Sequence, residues 1–282
     1  MWFSHLAWWL PSSSWWMILG LCFGLALLVS SLGFKRVVYF VSLGYAFSIT
    51  GIALLSSVLW FRGLHLWTLL HGGLLVLYGV RLGSFLTARE RRPSYKKELE
   101  EIQERSKDMT LFVRVMIWLS VSLLYVLMAS AYLYHLHFAL KNKGSFSWLA
   151  VAGIAVMGFG LFLEALADWQ KSAFKADKPS SFCNVGLYRW VRTPNYLGEI
   201  IFWLGNLLAG VSFLLTFWQW VTVLVGTLCI FLIMMGSAKR LEAKQQERYG
   251  QQKEFQEYIQ TTPILFPWVP LYSLQHIKVY LE

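Results

Sequence analysis

GLYRWVRTPNYLGE, residues 186–199, sets Arg189, Arg192, Asn195 and Glu199 between two stretches apolar enough for a membrane interior. Pro194 suits the first turn of a helix, where its missing N–H costs no hydrogen bond. Asn195 and Glu199 then lie four apart on one helical face, and Asn206, seven beyond Glu199, continues it. A carboxylate and two amides beside arginines at a membrane helix mouth are costly to bury, which marks a candidate functional site. The plainer reading makes the arginines interfacial anchors and Asn195 a helix cap. It explains either arginine alone more easily than the whole set.

Composition sets the frame around this stretch. The chain is 57% hydrophobic and only 14% charged, against roughly a quarter charged in soluble domains. That balance predicts an all-α polytopic membrane protein. The formal charge of +10 argues little for nucleic acid, because the basic residues sit in short loops between apolar spans. The 15 tryptophans and 13 tyrosines suit interfacial belts. Cys22, Cys183 and Cys229 form no CxxC pair, and no HxxxH or HExxH spacing occurs, so neither a disulfide set nor a metal site is expected. With no GxGxxG and no Walker loop, a soluble nucleotide-binding fold is excluded. No basic segment precedes the first apolar run, so that run is expected to stay as a span.

Spans of about 20 residues fit at roughly 13–33, 37–60, 64–86, 110–136, 146–168, 195–215 and 217–238, seven in all. Lys35 and Arg36 follow the first, and seven Lys and Arg residues from Arg89 to Lys107, in a mixed-charge loop, follow the third. Lys171 to Arg192 follow the fifth, and Lys239 to Arg248 follow the seventh. The opposite loops hold only Arg62, Lys141 and Lys143. This asymmetry predicts the N-terminus outside and the C-terminus cytoplasmic. The whole reads as one integral domain, residues 1–110 a three-span part and residues 111–282 the part with the polar motifs. Residues 87–109 read as a solvated helix after Pro93, and the stretch after the seventh span as an amphipathic tail along the cytoplasmic surface.

Three further groups stand out. In the third span His71, Tyr78 and Arg81 share a stripe, and Tyr78 can donate to a substrate oxygen in a dry cavity; packing alone is the plainer role. The fifth span ends in Glu164, Asp168, Lys171 and Lys175, spaced four, three and four. Such a stripe suits ribose hydroxyls and phosphates, or else closes on itself as an ion-pair ladder. Residues 176–194 form the longest connection without a clear helix and read as a lid.

Taken together, these residues resemble the steroid 5-alpha-reductase superfamily. ExxxDxxK, GLYRWVRTPNYLGEIIFWLG, RxExxxxxRYG and an EYxxxTPxxxPW ending occur in order over residues 155–270, and Tyr78-Gly-Val-Arg81 extends the likeness upstream. The bacterial-type branch of that superfamily is the most similar. The resemblance implies a membrane enzyme that takes NADPH from the cytoplasm and passes hydride to a conjugated double bond of an apolar lipid, steroid-like or isoprenoid enone. Asn195, Tyr196 and Glu199 would contact the cofactor, with Glu164, Asp168, Lys171, Lys175, Arg192, Arg240, Glu242 and Tyr249 along its ribose and phosphate path. Tyr78 and Glu199 would be catalytic, with His71, Tyr78 and Arg81 at the substrate. Two departures are plain: Thr193 stands where the family has histidine in His-Pro-Asn, and no acidic residue precedes Glu90.

Isoprenylcysteine and phospholipid methyltransferases share the C-terminal plan, which leaves S-adenosylmethionine as an alternative cofactor. A non-enzymatic membrane scaffold is the third possibility. The expected partners are the bilayer and an apolar small molecule, with no nucleic acid. The expected location is a bacterial inner membrane, or the endoplasmic reticulum in a eukaryote.

Overall fold

A chain this apolar has no water to satisfy its backbone inside a bilayer, and helices close every hydrogen bond within one segment. The structure, a computed structural model, describes residues 15–91 and 93–277, and every regular element among them is helical. In order these are α1 (Trp15–Ser30), α2 (Val38–Val41), α3 (Leu43–Leu59), α4 (Leu66–Glu90), α5 (Pro93–Arg105), α6 (Leu111–Asn142), α7 (Trp148–Asp177), α8 (Pro194–Gly210), α9 (Phe217–Tyr249) and α10 (Lys253–Thr261). Seven stretches are long and apolar enough to cross a membrane, with α2 and α3 forming one of them. The protein is therefore an all-α, multi-pass membrane protein. The beginning of the first expected span, before Trp15, lies outside the described residues.

Several helices outrun the apolar stretches. α6, α7 and α9 reach Asn142, Asp177 and Tyr249. Strong helix formers such as Lys, Glu, Gln and Ala carry the turn beyond the bilayer. The stretch from Lys239 to Tyr249 is thus the end of α9 and not a separate surface helix. Only α10, beyond Gly250, stands apart.

The chain divides into two compact units, one of the residues up to Val151 with Ala209–Gly226, the other of Ala152–Leu208 with everything from Thr227 on. In the first, α1, α3, α4 and α6 pack around Tyr45, Tyr78 and Tyr125, and Tyr45 stacks on Tyr125 with ring centroids 5.6 Å apart. Hydroxyl pairs such as Ser30–Ser122 at 2.8 Å tie its helices together, as expected where no water competes.

In the second unit, glycines decide how α7 meets α8. A Cβ on Gly160 would lie 2.5 Å from the Phe202 nitrogen, and one on Gly198 would lie 2.7 Å from the Glu164 nitrogen. One on Gly205 would lie 2.6 Å from the Met157 nitrogen and 2.9 Å from the Gly153 oxygen. Gly153 and Gly160 are seven apart, as are Gly198 and Gly205, so two small-residue stripes face each other and the backbones touch. Gly158 has open space where its Cβ would be. Gly160→Ala is therefore expected to destabilise the protein by about 1–3 kcal/mol. Gly158→Ala should be neutral or stabilising, and chemical denaturation in detergent compares the two.

Candidate functional site

Gly186 opens the stretch in the left-handed region, at φ 58°, and a side chain there would meet the Gln170 amide carbon at 2.6 Å. Only glycine avoids both penalties. Gln170 instead accepts the Leu187 N–H at 2.9 Å, which starts the 3-10 turn Gly186–Arg189. That turn drives Tyr188 into a pocket with Ala167 and Cys183. There its hydroxyl donates to the Ala167 carbonyl at 3.3 Å, and its own carbonyl accepts from Tyr258 at 2.6 Å. Burial first, and then the Asp168 charge, hold the Tyr188 phenol well above its ordinary pKa. Arg189 and Trp190 point outward.

Arg192 turns in. Its side chain is nearly sealed from solvent, with a nitrogen 3.3 Å from Glu242 Oε1 and a bond to the Tyr272 carbonyl. Glu242 Oε2 accepts the Leu274 N–H at 2.9 Å. The backbone joins in: Arg192 and Thr193 donate to the carbonyls of Pro263 and Ile264 at 2.9 and 3.0 Å, and the Thr193 hydroxyl donates to Ile264 at 2.6 Å. The segment after α10 is thus laced to the residues just before α8. Thr193 precedes Pro194, the first residue of α8, as its proline suggested.

Beyond this mouth Asn195 is half-buried, and its Oδ1 has no hydrogen-bond donor among the described residues. Glu199 and Asn206 follow on α8, both buried, and Glu164 and Asp168 are buried on α7. Because Gly198 packs against the backbone of Glu164, Glu164 and Glu199 sit at the same level of the helix pair. Glu164, Asp168, Lys171, Tyr196, Glu199 and Asn206 all have interaction partners. Three buried carboxylates on a touching helix pair are costly and need donors around them.

Other residues singled out in the sequence hold the frame. The Lys175 ammonium donates to the carbonyls of Pro179, at 3.2 Å, and Ser181, and to the Tyr249 hydroxyl at 2.7 Å. Tyr249 packs with Phe182 and Phe255. The connection 176–194 is therefore pinned at Lys175, Tyr188 and Arg192, and it is not a free lid. Arg240 is exposed and bonds Ser237 at 2.9 Å. A cavity of about 890 Å³ lies beside Glu242, Gln246, Ile259, Tyr272 and Gln275.

The third-span residues belong to the first unit. The Tyr78 hydroxyl is fully buried, 2.6 Å from that of Tyr45. His71 Nδ1 lies 3.0 Å from His135 Nδ1, whose ring reaches Ser145 at 2.9 Å. Arg81 is half-buried. Tyr45 and His135 escaped the sequence reading, as did the glycine stripes, and Thr193 stood out there only as a departure from the family's histidine. The seven-residue spacing of the glycines and the position of Thr193 before Pro194 were the available signals.

One family model matches residues 30–262, that of the family described as protein of unknown function, DUF1295. The chain belongs to this family. The match includes the paired glycine stripes, the Arg192–Glu242 contact and α10, and it ends just before Pro263. No curated protein and no solved structure matches the chain.

Gly186→Ala should cost at least about 1–2 kcal/mol from backbone strain alone, measured as a shift in the denaturation midpoint. The raised Tyr188 pKa makes the folded state hold its proton more tightly than the unfolded state. Its contribution is complete below pH 10 and is lost as the pH climbs above that value. Tyr188→Phe should therefore flatten the alkaline limb of the stability profile.

Proposed function

We propose that the chain is a membrane-embedded reductase that uses NADPH to reduce a conjugated carbon–carbon double bond in an apolar lipid. The observation that carries this reading is the buried polar row of Glu164, Asp168, Glu199 and Asn206 on the touching helices α7 and α8. Asn195, at the mouth of α8, presents an acceptor that no protein donor fills among the described residues. The N–H and O–H donors of a dinucleotide suit that set of acceptors. Its carboxamide or adenine N–H matches the Asn195 oxygen, and its ribose hydroxyls match the carboxylates. NADPH would supply hydride to the substrate.

The protein's own contributions are binding, orientation and exclusion of water. Asn195, Tyr196, Glu199, Glu164 and Asp168 would hold the cofactor, with Lys171 and Arg240 toward its phosphates. Arg192, Glu242, Lys175 and Tyr249 are engaged with one another's loops, and their role is to keep the mouth in shape. Tyr78 would donate a hydrogen bond to a substrate carbonyl oxygen, with Tyr45 donating to Tyr78 in turn. A low-dielectric setting strengthens such a bond. His71 and Arg81 would line the same approach. On this reading the apolar substrate enters from the bilayer, and the site opens to the cytoplasm.

Thermal unfolding of the purified protein with NADPH, NADH or S-adenosylmethionine tests the proposal. NADPH at 100 times its Kd should stabilise the protein by about 2.7 kcal/mol. Asn195→Ala should lose most of that gain while its ligand-free stability changes little. Stabilisation by S-adenosylmethionine alone would overturn the reading in favour of a methyltransferase.

A further inference from the structure

After α10 the chain reads PILFPWVPL over residues 263–271, with no charged residue. Two sets of contacts along α9 fix where this segment lies. At its far end, Leu274 donates to Glu242, Gln275 donates to the Lys239 carbonyl at 3.2 Å, and the Lys239 ammonium bonds the Ile277 carbonyl at 3.0 Å. Nearer its middle, the Phe266 ring stacks on Phe231, with centroids 6.3 Å apart and planes 18° from parallel. Phe231 precedes Lys239 by eight residues and Glu242 by eleven, which at 1.5 Å per residue is about 12 and 16 Å back along α9. No charged residue lies on α9 before Lys239. The segment therefore turns back beside the apolar, membrane-spanning part of α9 and returns to its polar end.

The backbone is built for such a place. Ile264 donates to Leu271 at 2.9 Å, Val269 to Phe266 at 3.2 Å, and Leu271 to Val269 at 2.7 Å, which makes a closed hairpin. Pro263, Pro267 and Pro270 have no N–H to desolvate. Non-helical backbone near hydrocarbon is tolerated only when its polar groups are satisfied in this way. Yet the tip is bare: Trp268 is 91% exposed and Val269 48%. A tryptophan standing free in water at the end of an uncharged hairpin lacks a partner of its own polarity. Tryptophan favours the level where headgroups meet acyl chains.

We infer that residues 263–271 form a re-entrant wedge whose Phe266–Pro270 tip inserts into the bilayer beside α9. The lipid surface is thus a binding partner of the segment that grips Arg192 and Thr193. The occupant follows from continuity, because the stack on Phe231 joins the tip to the apolar length of a helix long enough to span a membrane. Insertion would hold the hairpin's base, Tyr272 and Leu274, against Arg192 and Glu242. The inference rests on α9 crossing the membrane and does not depend on the reductase reading.

The test places a nitroxide on a cysteine at Trp268→Cys, or at Gln275→Cys as a control. The full chain, with its three native cysteines changed to alanine, is reconstituted in dioleoylphosphatidylcholine vesicles. Oxygen should relax the label at 268 more than a water-soluble nickel complex does, and the order should reverse at 275. A label at 268 that nickel reaches freely overturns the wedge. A label that neither quencher reaches also overturns it and assigns the tip to a second copy of the chain. Native protein gives an independent reading in vesicles of brominated lipid. There Trp268→Phe should remove part of the quenchable fluorescence, and an unchanged quenched fraction would contradict the inference.

Discussion

A guanidinium sealed from water must be answered by charge and hydrogen bonds, and the second unit is arranged around that demand. Arg192 finds Glu242 at 3.3 Å and the Tyr272 carbonyl, while Glu242 is itself held by the Leu274 N–H. Removing one partner of such a pair leaves a buried charge unanswered, and that penalty exceeds any net gain from the pair itself. The contact is thus better understood as a device for specificity than as a source of stability. It joins the residue before Thr193-Pro194, the end of α9 and the C-terminal segment at one point, and so decides where α8 begins.

Once α8 has begun, the glycine stripes govern its path along α7. Because Gly198 and Gly205 let α8 touch α7, the side chains one residue along on α8 are buried, Glu199 at the level of Glu164 and Asn206 further along, near the level of Met157. Larger residues at the stripes would part the helices and let lipid or water reach the carboxylates. Close packing and polar burial are one constraint here. The Asn195 oxygen at the mouth, without a donor among the described residues, is the place where that constraint leaves chemistry unfinished.

Much of this was legible beforehand. Seven apolar spans, the start of α8 at Pro194, the carboxylates Glu164 and Asp168 four apart on α7 and the Asn195–Glu199–Asn206 face of α8 follow from hydropathy and the helical repeat, which are local properties. Less visible was anything set by contact between distant residues. The Arg192 side chain read as a phosphate contact or an interfacial anchor, because no local rule tells which arginine finds a carboxylate fifty residues on. Lys175 looked available for phosphate, and it is engaged by Pro179, Ser181 and Tyr249. The connection 176–194 looked loose because it lacks helical periodicity, yet the positive φ of Gly186 and the inward Tyr188 hold it down. The expected spans stop short of the ends of α6, α7 and α9, because charge marks the membrane boundary but does not stop a helix.

A double-mutant cycle on Arg192 and Glu242, read as unfolding free energy in detergent, tests most directly whether the buried pair organises the helix mouth. Arg192→Met and Glu242→Met alone should each be markedly destabilising, and the double variant less so than their sum by about 2–3 kcal/mol. Purely additive effects would contradict a pair that acts as one unit.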